Sequence, residues 1–187
     1  MAGRNPNARS RDMIISMAVI MVPVLLIVWF FTMGDDSKPA TVDVDGTLKR
    51  ATAETPYPLL RAEALGDDWR PIRVAWAKTG EPWITAEPAS ANSWQLGYLS
   101  PDETYFGIQQ RDAGAAEFIR STTREGKKLD GQADLAGRSW DRYESPDERT
   151  RSLVHVDGEV ASIVTADTDF ATLEAFTSSL VEVAPGA

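Results

Sequence analysis

The chain has 187 residues, 28 acidic and 19 basic side chains, a formal charge of -9, no cysteine and one histidine. That length holds one folded domain with appendages, and the acidic balance offers no basic footprint for nucleic-acid phosphates. Without cysteine or a second histidine there are no disulfides, thiolate metal sites, cysteine nucleophiles or imidazole clusters, so no metal and no cofactor is expected.

Residues 1–12 read as a short cytoplasmic tail, rich in Asn, Arg and Gly. Met13 to Met33 then runs for 21 residues without a formal charge. At about 1.5 Å per residue this helix would reach about 31 Å, the thickness of a hydrocarbon core, whereas a secretory h-region has only about 7 to 15 residues. A transmembrane helix is therefore expected over 13–33, and Phe31-Thr32-Met33-Gly34 is a poor match to a small-x-small cleavage site. Arg4, Arg9 and Arg11 precede it and Asp35 and Asp36 follow, which predicts the N-terminus inside and the remainder outside. Trp29 suits the outer interface and Pro23 predicts a mild kink. The span has no ionisable group for a proton relay and no GxxxG face for dimerisation. Setting aside Arg4, Arg9, Arg11 and Asp12 leaves 16 basic and 27 acidic residues, so the exported part carries a net charge of -11.

Residues 34–55 are polar and small and read as a linker. Asp43-Val44-Asp45-Gly46 resembles the start of a calcium loop, yet no further ligand pair and no glutamate at position twelve follow. An extracytoplasmic domain is expected over 56–184. All five methionines lie at or before position 33, so its core is built from aromatic and branched aliphatic residues.

Within that domain Ile72, Val74 and Trp76 alternate with Arg73, Ala75 and Ala77, the period of a half-buried strand. After an irregular loop from Thr79 to Asn92, Trp94, Leu96 and Tyr98 alternate with Gln95 and Gly97. Ser100-Pro101-Asp102-Glu103 places proline where a type I turn wants it, and Thr104 to Gln110 returns as a strand with Phe106 and Ile108 on one face. The period changes over Ala113 to Thr123, where Ala115, Phe118 and Ile119 share the side of a short helix ending at Glu125-Gly126. Strands are expected over Arg138 to Glu144, Arg151 to Val156 and Glu159 to Thr165, the last two joined at Asp157-Gly158, a hairpin signal that demands positive φ. A second helix starts at Asp167 or Thr168 and carries Phe170, Leu173, Phe176, Leu180 and Val181. The order predicts an α+β fold, an antiparallel sheet of about six strands covered by two helices.

Tyr57-Pro58-Leu59, Leu65-Gly66-Asp67-Asp68-Trp69-Arg70-Pro71, the run from Trp94 to Asp102, Tyr105 with Gln109, and Arg138-Ser139-Trp140, behind a single N-terminal span, resemble a family of actinobacterial membrane-anchored proteins, the domain of unknown function DUF4245. The resemblance covers nearly the whole outer domain. It implies an α/β sandwich like that of the Mog1 and PsbP groups, and it brings no catalytic residues.

Chemistry must be sought from the residues themselves. His155, on a strand with Leu153, reads as a packed or edge residue because general-base work needs an orienting partner. No GxSxG, GxGxxG or P-loop is present. Asp141, Glu144, Asp147 and Glu148 read as a solvated acidic hairpin instead of a glycosidase pair. Trp69, Trp76, Trp94 and Trp140 occupy core positions. Trp83 and Ile84, in the irregular loop, have the composition of a partner contact. The expectation is a non-enzymatic accessory or interaction domain, anchored in the cytoplasmic membrane as part of an envelope complex. The alternative is a small-molecule or lipid-binding module whose pocket, lined by Trp94, Tyr98, Tyr105 and Phe118, holds an apolar or cationic ligand.

Overall fold

The computed structural model describes residues 6–32 and 42–186, with side chains over 13–29 and 42–186. In chain order the elements are α1 (Pro6–Thr32), α2 (Val44–Glu54), β1 (Leu59–Ala62), β2 (Arg70–Ala77), β3 (Ser93–Leu99), β4 (Tyr105–Arg111), α3 (Ala115–Thr122), β5 (Lys127–Leu135), β6 (Arg138–Glu144), β7 (Arg151–Asp157), β8 (Val160–Ala166), α4 (Phe170–Thr177) and β9 (Leu180–Val183). Residues 1–40 and 41–187 form separate compact units. In the first, α1 is apolar and its described large side chains are exposed. Among the described residues no helix is long and apolar enough to cross a membrane. Met33, the last residue of the expected span, lies outside them, as do residues 34–41 of the expected linker and the first five of the tail.

The second unit is α+β. Seven strands form one antiparallel sheet in the order β2-β3-β4-β8-β7-β6-β5, and β1 pairs antiparallel with β9 in a separate two-stranded sheet. The period-two alternation sorts side chains between two faces. The front face carries Trp76, Trp94, Leu96, Tyr98, Phe106, Ile108, Trp140, Leu153 and Val164, buried together with Leu48 of α2, Leu59 and Leu60 of β1, Leu173 and Phe176 of α4 and Leu180 of β9. The back face carries a smaller cluster in which Phe118 of α3 meets Val154, Ala161 and Ile163. Trp69, Tyr98 and Phe106 surround Phe176, with centroids 4.7 to 5.8 Å from it, a spacing favourable for tilted and stacked rings.

All six expected strands are present, and three more join them. β1 has only four residues, too few to establish alternation. β5 is nearly all polar, and a register shift between Lys128 and Gln132 interrupts its period. The expected closing helix stops at Thr177, because Leu180 and Val181 leave its stripe to pair with Ala62 and Arg61. At the β7–β8 hairpin the loop is Gly158-Glu159 and not Asp157-Gly158: Asp157 pairs with Val160, and only Gly158 has positive φ, at 57°. Glycine at the first loop position fits the type II′ connection. The expected turn at Ser100 does form, with Glu103 N–H donating to Ser100 O at 3.0 Å.

The linker reading over 34–55 is corrected by α2. Asp43 is its N-cap, accepting from Gly46 N–H at 3.2 Å, so the Asp-Val-Asp-Gly run starts a helix and not a calcium loop. Leu48, Ala51 and Thr52 are buried. Glu54 accepts from Trp76 Nε1–H at 2.8 Å, a bond that, with Lys78 and Arg50 nearby, holds its carboxyl below the ordinary value. The domain thus begins well before residue 56; tertiary burial orders a segment whose composition favours solvent.

Candidate ligand-binding cleft

β4 runs through the middle of the sheet, between β3 and β8, and its alternation places Tyr105, Gly107, Gln109 and Arg111 on the back face. α3 covers only part of that face, because its apolar stripe is short: Phe118 is buried and Ala115 and Ile119 half-buried. Between α3 and the uncovered strands lies a cleft of about 630 Å³, lined by Tyr105, Gln109, Arg111, Phe118, Thr165 and Asp167 among others.

The floor is set by a pair of glycines. Gly97 of β3 faces Gly107 of β4 in register, and the Tyr105 ring lies across both. A methyl group at Gly97 would stand 2.6 Å from Tyr105 Cε2 and 2.8 Å from Cζ; one at Gly107 would stand 3.1 Å from Cε1. One ring face thus rests on bare backbone, while the residue remains 37% exposed. The Tyr105 hydroxyl shares a hydrogen bond with the Gln95 side chain, and burial raises its pKa above the ordinary value, so it stays protonated at neutral pH.

At the other end Arg111 lays its guanidinium 4.8 Å from the Phe118 ring centroid, a cation–π contact. No carboxylate lies within 4.0 Å of it among the described residues, and burial lowers its pKa, although it stays charged. Two acids line the cleft, Glu103 and Asp167, and the second is already engaged: Asp167 accepts from Thr150 Oγ1–H at 2.5 Å and pairs with Arg124 at 3.8 Å and Arg149 at 3.6 Å.

The four residues expected to share a pocket divide between the two faces. Tyr105 and Phe118 line the cleft. Trp94 and Tyr98 are buried on the front, where Trp94 Nε1–H donates to Leu60 O at 2.9 Å and the Tyr98 hydroxyl to Ala62 O at 3.3 Å. These bonds hold β1 over the sheet and leave neither ring for a ligand. The lining is chemically mixed. It combines Arg111 and Arg124, Glu103 and Asp167, hydroxyls and the Tyr105 and Phe118 rings, with Ala166 as the single aliphatic side chain. Gln95, Gln109, Arg111 and Thr165 were not among the expected site residues; the parity of Phe106 and Ile108 is the signal that places Tyr105, Gln109 and Arg111 together opposite them.

Trp83 and Ile84 sit at the tip of a narrow loop. Pro82 bridges Pro88, Trp83 N–H donates to Glu87 O at 2.8 Å, and Ala86 N–H returns to Trp83 O at 2.8 Å. Ile84 is 46% exposed and Trp83 half-buried. His155 donates from Nδ1 to Ser139 O at 2.9 Å and lies 5.7 Å from the Trp140 ring, a packed residue as its setting predicts. It borders a second cavity, about 420 Å³, on the front face.

The acidic hairpin is tied down by its neighbours. Asp141 accepts from Lys128 at 2.6 Å and Gln132 at 2.8 Å, and Glu144 pairs with Arg151 at 2.7 Å. Burial pushes the Asp141 carboxyl up, but the Lys128 and Gln132 bonds outweigh it and the pKa falls below the ordinary value. For Asp147 the Ser145 bond, then the Arg149 N–H, lowers it as well. A general acid working near neutral pH needs the opposite shift.

No curated protein matches the chain. Among solved structures it is similar to MucB, crystallised in complex with MucA(peri), at 16% identity and a TM-score of 0.35; the likeness covers 67% of this chain and 37% of that one. The family model described as "Protein of unknown function (DUF4245)" matches residues 6–180, nearly the full length, and the chain belongs to that family.

Proposed function

We propose that this protein is a non-enzymatic binding domain on the outer face of the cytoplasmic membrane, anchored by Met13 to Met33 and holding its ligand in the back-face cleft. The observation that carries this reading is the cleft itself: an aromatic floor, an unpaired guanidinium and free amide and hydroxyl groups converge there, the arrangement of a small-ligand site. Within the cleft Asp167 is ion-paired and the Tyr105 hydroxyl holds its proton at neutral pH, which favours binding over turnover. The anchor rests on the uncharged 21-residue run and its arginine flank. Native mass spectrometry of the full-length chain isolated from membranes tests the binding reading: the wild type should retain a molecule that Arg111→Met releases. Protease accessibility of a C-terminal tag on intact spheroplasts tests the orientation.

A second reading is favoured by the loop tip. Ile84 presents an aliphatic side chain to solvent on a backbone fixed by the Pro82–Pro88 bridge, which suits contact with another envelope protein. Affinity isolation after gentle solubilisation should then recover a stoichiometric partner that Ile84→Asp loses. Isolation of the same species with both chains would remove this second reading.

A further inference from the structure

The cleft is long and most of its lining side chains are polar. Tyr105 and Arg111 mark its ends on one strand, six residues apart, which at about 3.3 Å per residue separates them by about 20 Å. Such a groove suits a segment of chain better than a compact metabolite. Its contents narrow the choice of chain.

A lipid tail is excluded by the lining, where Ala166 is the single aliphatic side chain. An extended peptide would bind by adding a strand, and that needs a sheet edge with free backbone donors and acceptors. β4 and β8 are central strands, hydrogen-bonded on both sides, so a peptide laid over them finds no ladder to join. A nucleic acid draws its affinity from a row of basic contacts to its phosphates, and the cleft lining has only Arg111 and Arg124, the second already paired with Asp167.

A sugar chain meets none of these objections. A pyranose ring offers a flat face of C–H groups, which stacks on the electron-rich face of an aromatic ring, and an edge of hydroxyls that reads amides and hydroxyls. Tyr105 supplies the platform. It is seated on Gly97 and Gly107 so that one ring face meets the sheet and the other is left to the cleft. Gln109 carries an amide with no side-chain hydrogen bond among the described residues, and Thr165 and Ser121 add hydroxyls. Arg111 then needs an acceptor that the protein does not provide, and a carboxylate in its partly buried setting forms a charge-assisted pair.

We propose that the cleft binds a linear saccharide carrying carboxylates, with one sugar stacked on the Tyr105 ring and an acidic group held by Arg111. This rests on the binding reading above and names its ligand class.

The test is calorimetric titration of the full-length chain in lipid nanodiscs with three probes: an α-1,4-linked galacturonic acid tetramer, maltotetraose as its neutral counterpart, and tetraglutamate. The uronate should bind about tenfold more tightly than maltotetraose, the worth of one charge-assisted contact. Arg111→Met should bring the two within about twofold without weakening maltotetraose, since only the carboxylate uses the guanidinium. Tyr105→Leu should weaken both sugars about tenfold, and Tyr105→Phe, which keeps the ring, should recover most of that loss. Equal affinity for the two sugars with no effect of Arg111→Met would overturn the acidic-sugar assignment. Binding of tetraglutamate alone would make the cleft a peptide site, sinking the saccharide inference while the binding reading stands. Failure of all three probes overturns the inference; the binding reading falls separately, when the chain isolated from membranes carries no Arg111-dependent ligand.

Discussion

Gly97→Ala is the sharpest probe of how the cleft floor is built. Gly97 has ordinary extended backbone, so the substitution costs nothing in φ, and alanine in a strand gains about 0.5–1 kcal/mol over glycine through the unfolded chain. Against that, the new methyl would stand 2.6 Å from Tyr105 Cε2 and 2.8 Å from Cζ, where carbon contacts settle near 3.5–4.0 Å. The ring must rise by about 1 Å, loosening its seat on Gly107 and its bond to Gln95; overpacking of this kind costs about 1–3 kcal/mol. The net destabilisation should be about 1–2 kcal/mol. In a Tyr105→Ala background the obstruction is gone, and Gly97→Ala should become neutral or stabilising by about 0.5–1 kcal/mol, a coupling of about 2 kcal/mol. Urea unfolding of the full-length chain in mild detergent, followed by the emission of buried Trp94 and Trp140, measures all four corners of the cycle. Gly107→Ala is an internal comparison: its methyl meets Thr165 Oγ1 at 3.2 Å as well as Tyr105 Cε1 at 3.1 Å, so removing the ring should rescue it only in part. If Gly97→Ala were equally harmful with and without the Tyr105 ring, the account of the floor would be wrong.

Other outcomes follow from the same geometry. Gln110→Leu should cost about 2–4 kcal/mol by chemical denaturation, because Gln110 Oε1 accepts from Leu60 N–H at 2.7 Å and Nε2 donates to Pro58 O and Ser162 Oγ at 3.1 Å each, and leucine leaves those groups buried and unpaired. Asp43→Ala should cost about 1 kcal/mol as the α2 cap is lost, with faster amide exchange confined to the first turn of α2. Asp169 caps α4, and its bonds to the Thr172 N–H and side chain hold its pKa below the ordinary 3.8. A lowered folded value means that the unfolded chain binds more protons, so this stability is complete above pH 3.8 and is lost as the pH falls through the folded value. Asp169→Asn keeps the capping oxygen and removes the titration, so stability measured from pH 5 downward should fall less steeply; an unchanged acid limb would refute the assignment.

Much of the sheet was legible because period-two alternation depends on burial of one face alone. Trp94, Leu96 and Tyr98, then Phe106 and Ile108, declare their face without reference to any distant residue, and all six expected strands occur. The missing strands had no such pattern. Four-residue β1 is held because Trp94, Tyr98 and Gln110 reach across about 34 to 50 positions to bond its backbone, and β9 forms by pairing with it. Leu180 and Val181 suit a helix stripe and a strand equally well until β1 offers a partner. Residues 44–54 look solvated because α2 buries only one narrow stripe, and Trp76, far along the chain, bonds its last residue, Glu54.

The cleft divides in the same way. Parity along β4 already places Tyr105, Gln109 and Arg111 on one face, and the uncharged N-terminal run, the net acidity and the family are likewise written in the residues. That Tyr105 lies flat over Gly97 and Gly107, that Arg111 is left without a carboxylate, and that Trp94 and Tyr98 serve the opposite face were decided only when β3, β4 and β8 came together. The reason is physical: alternation is a property of one strand, whereas a binding surface is a property of the register between strands and of the helix that fails to cover them.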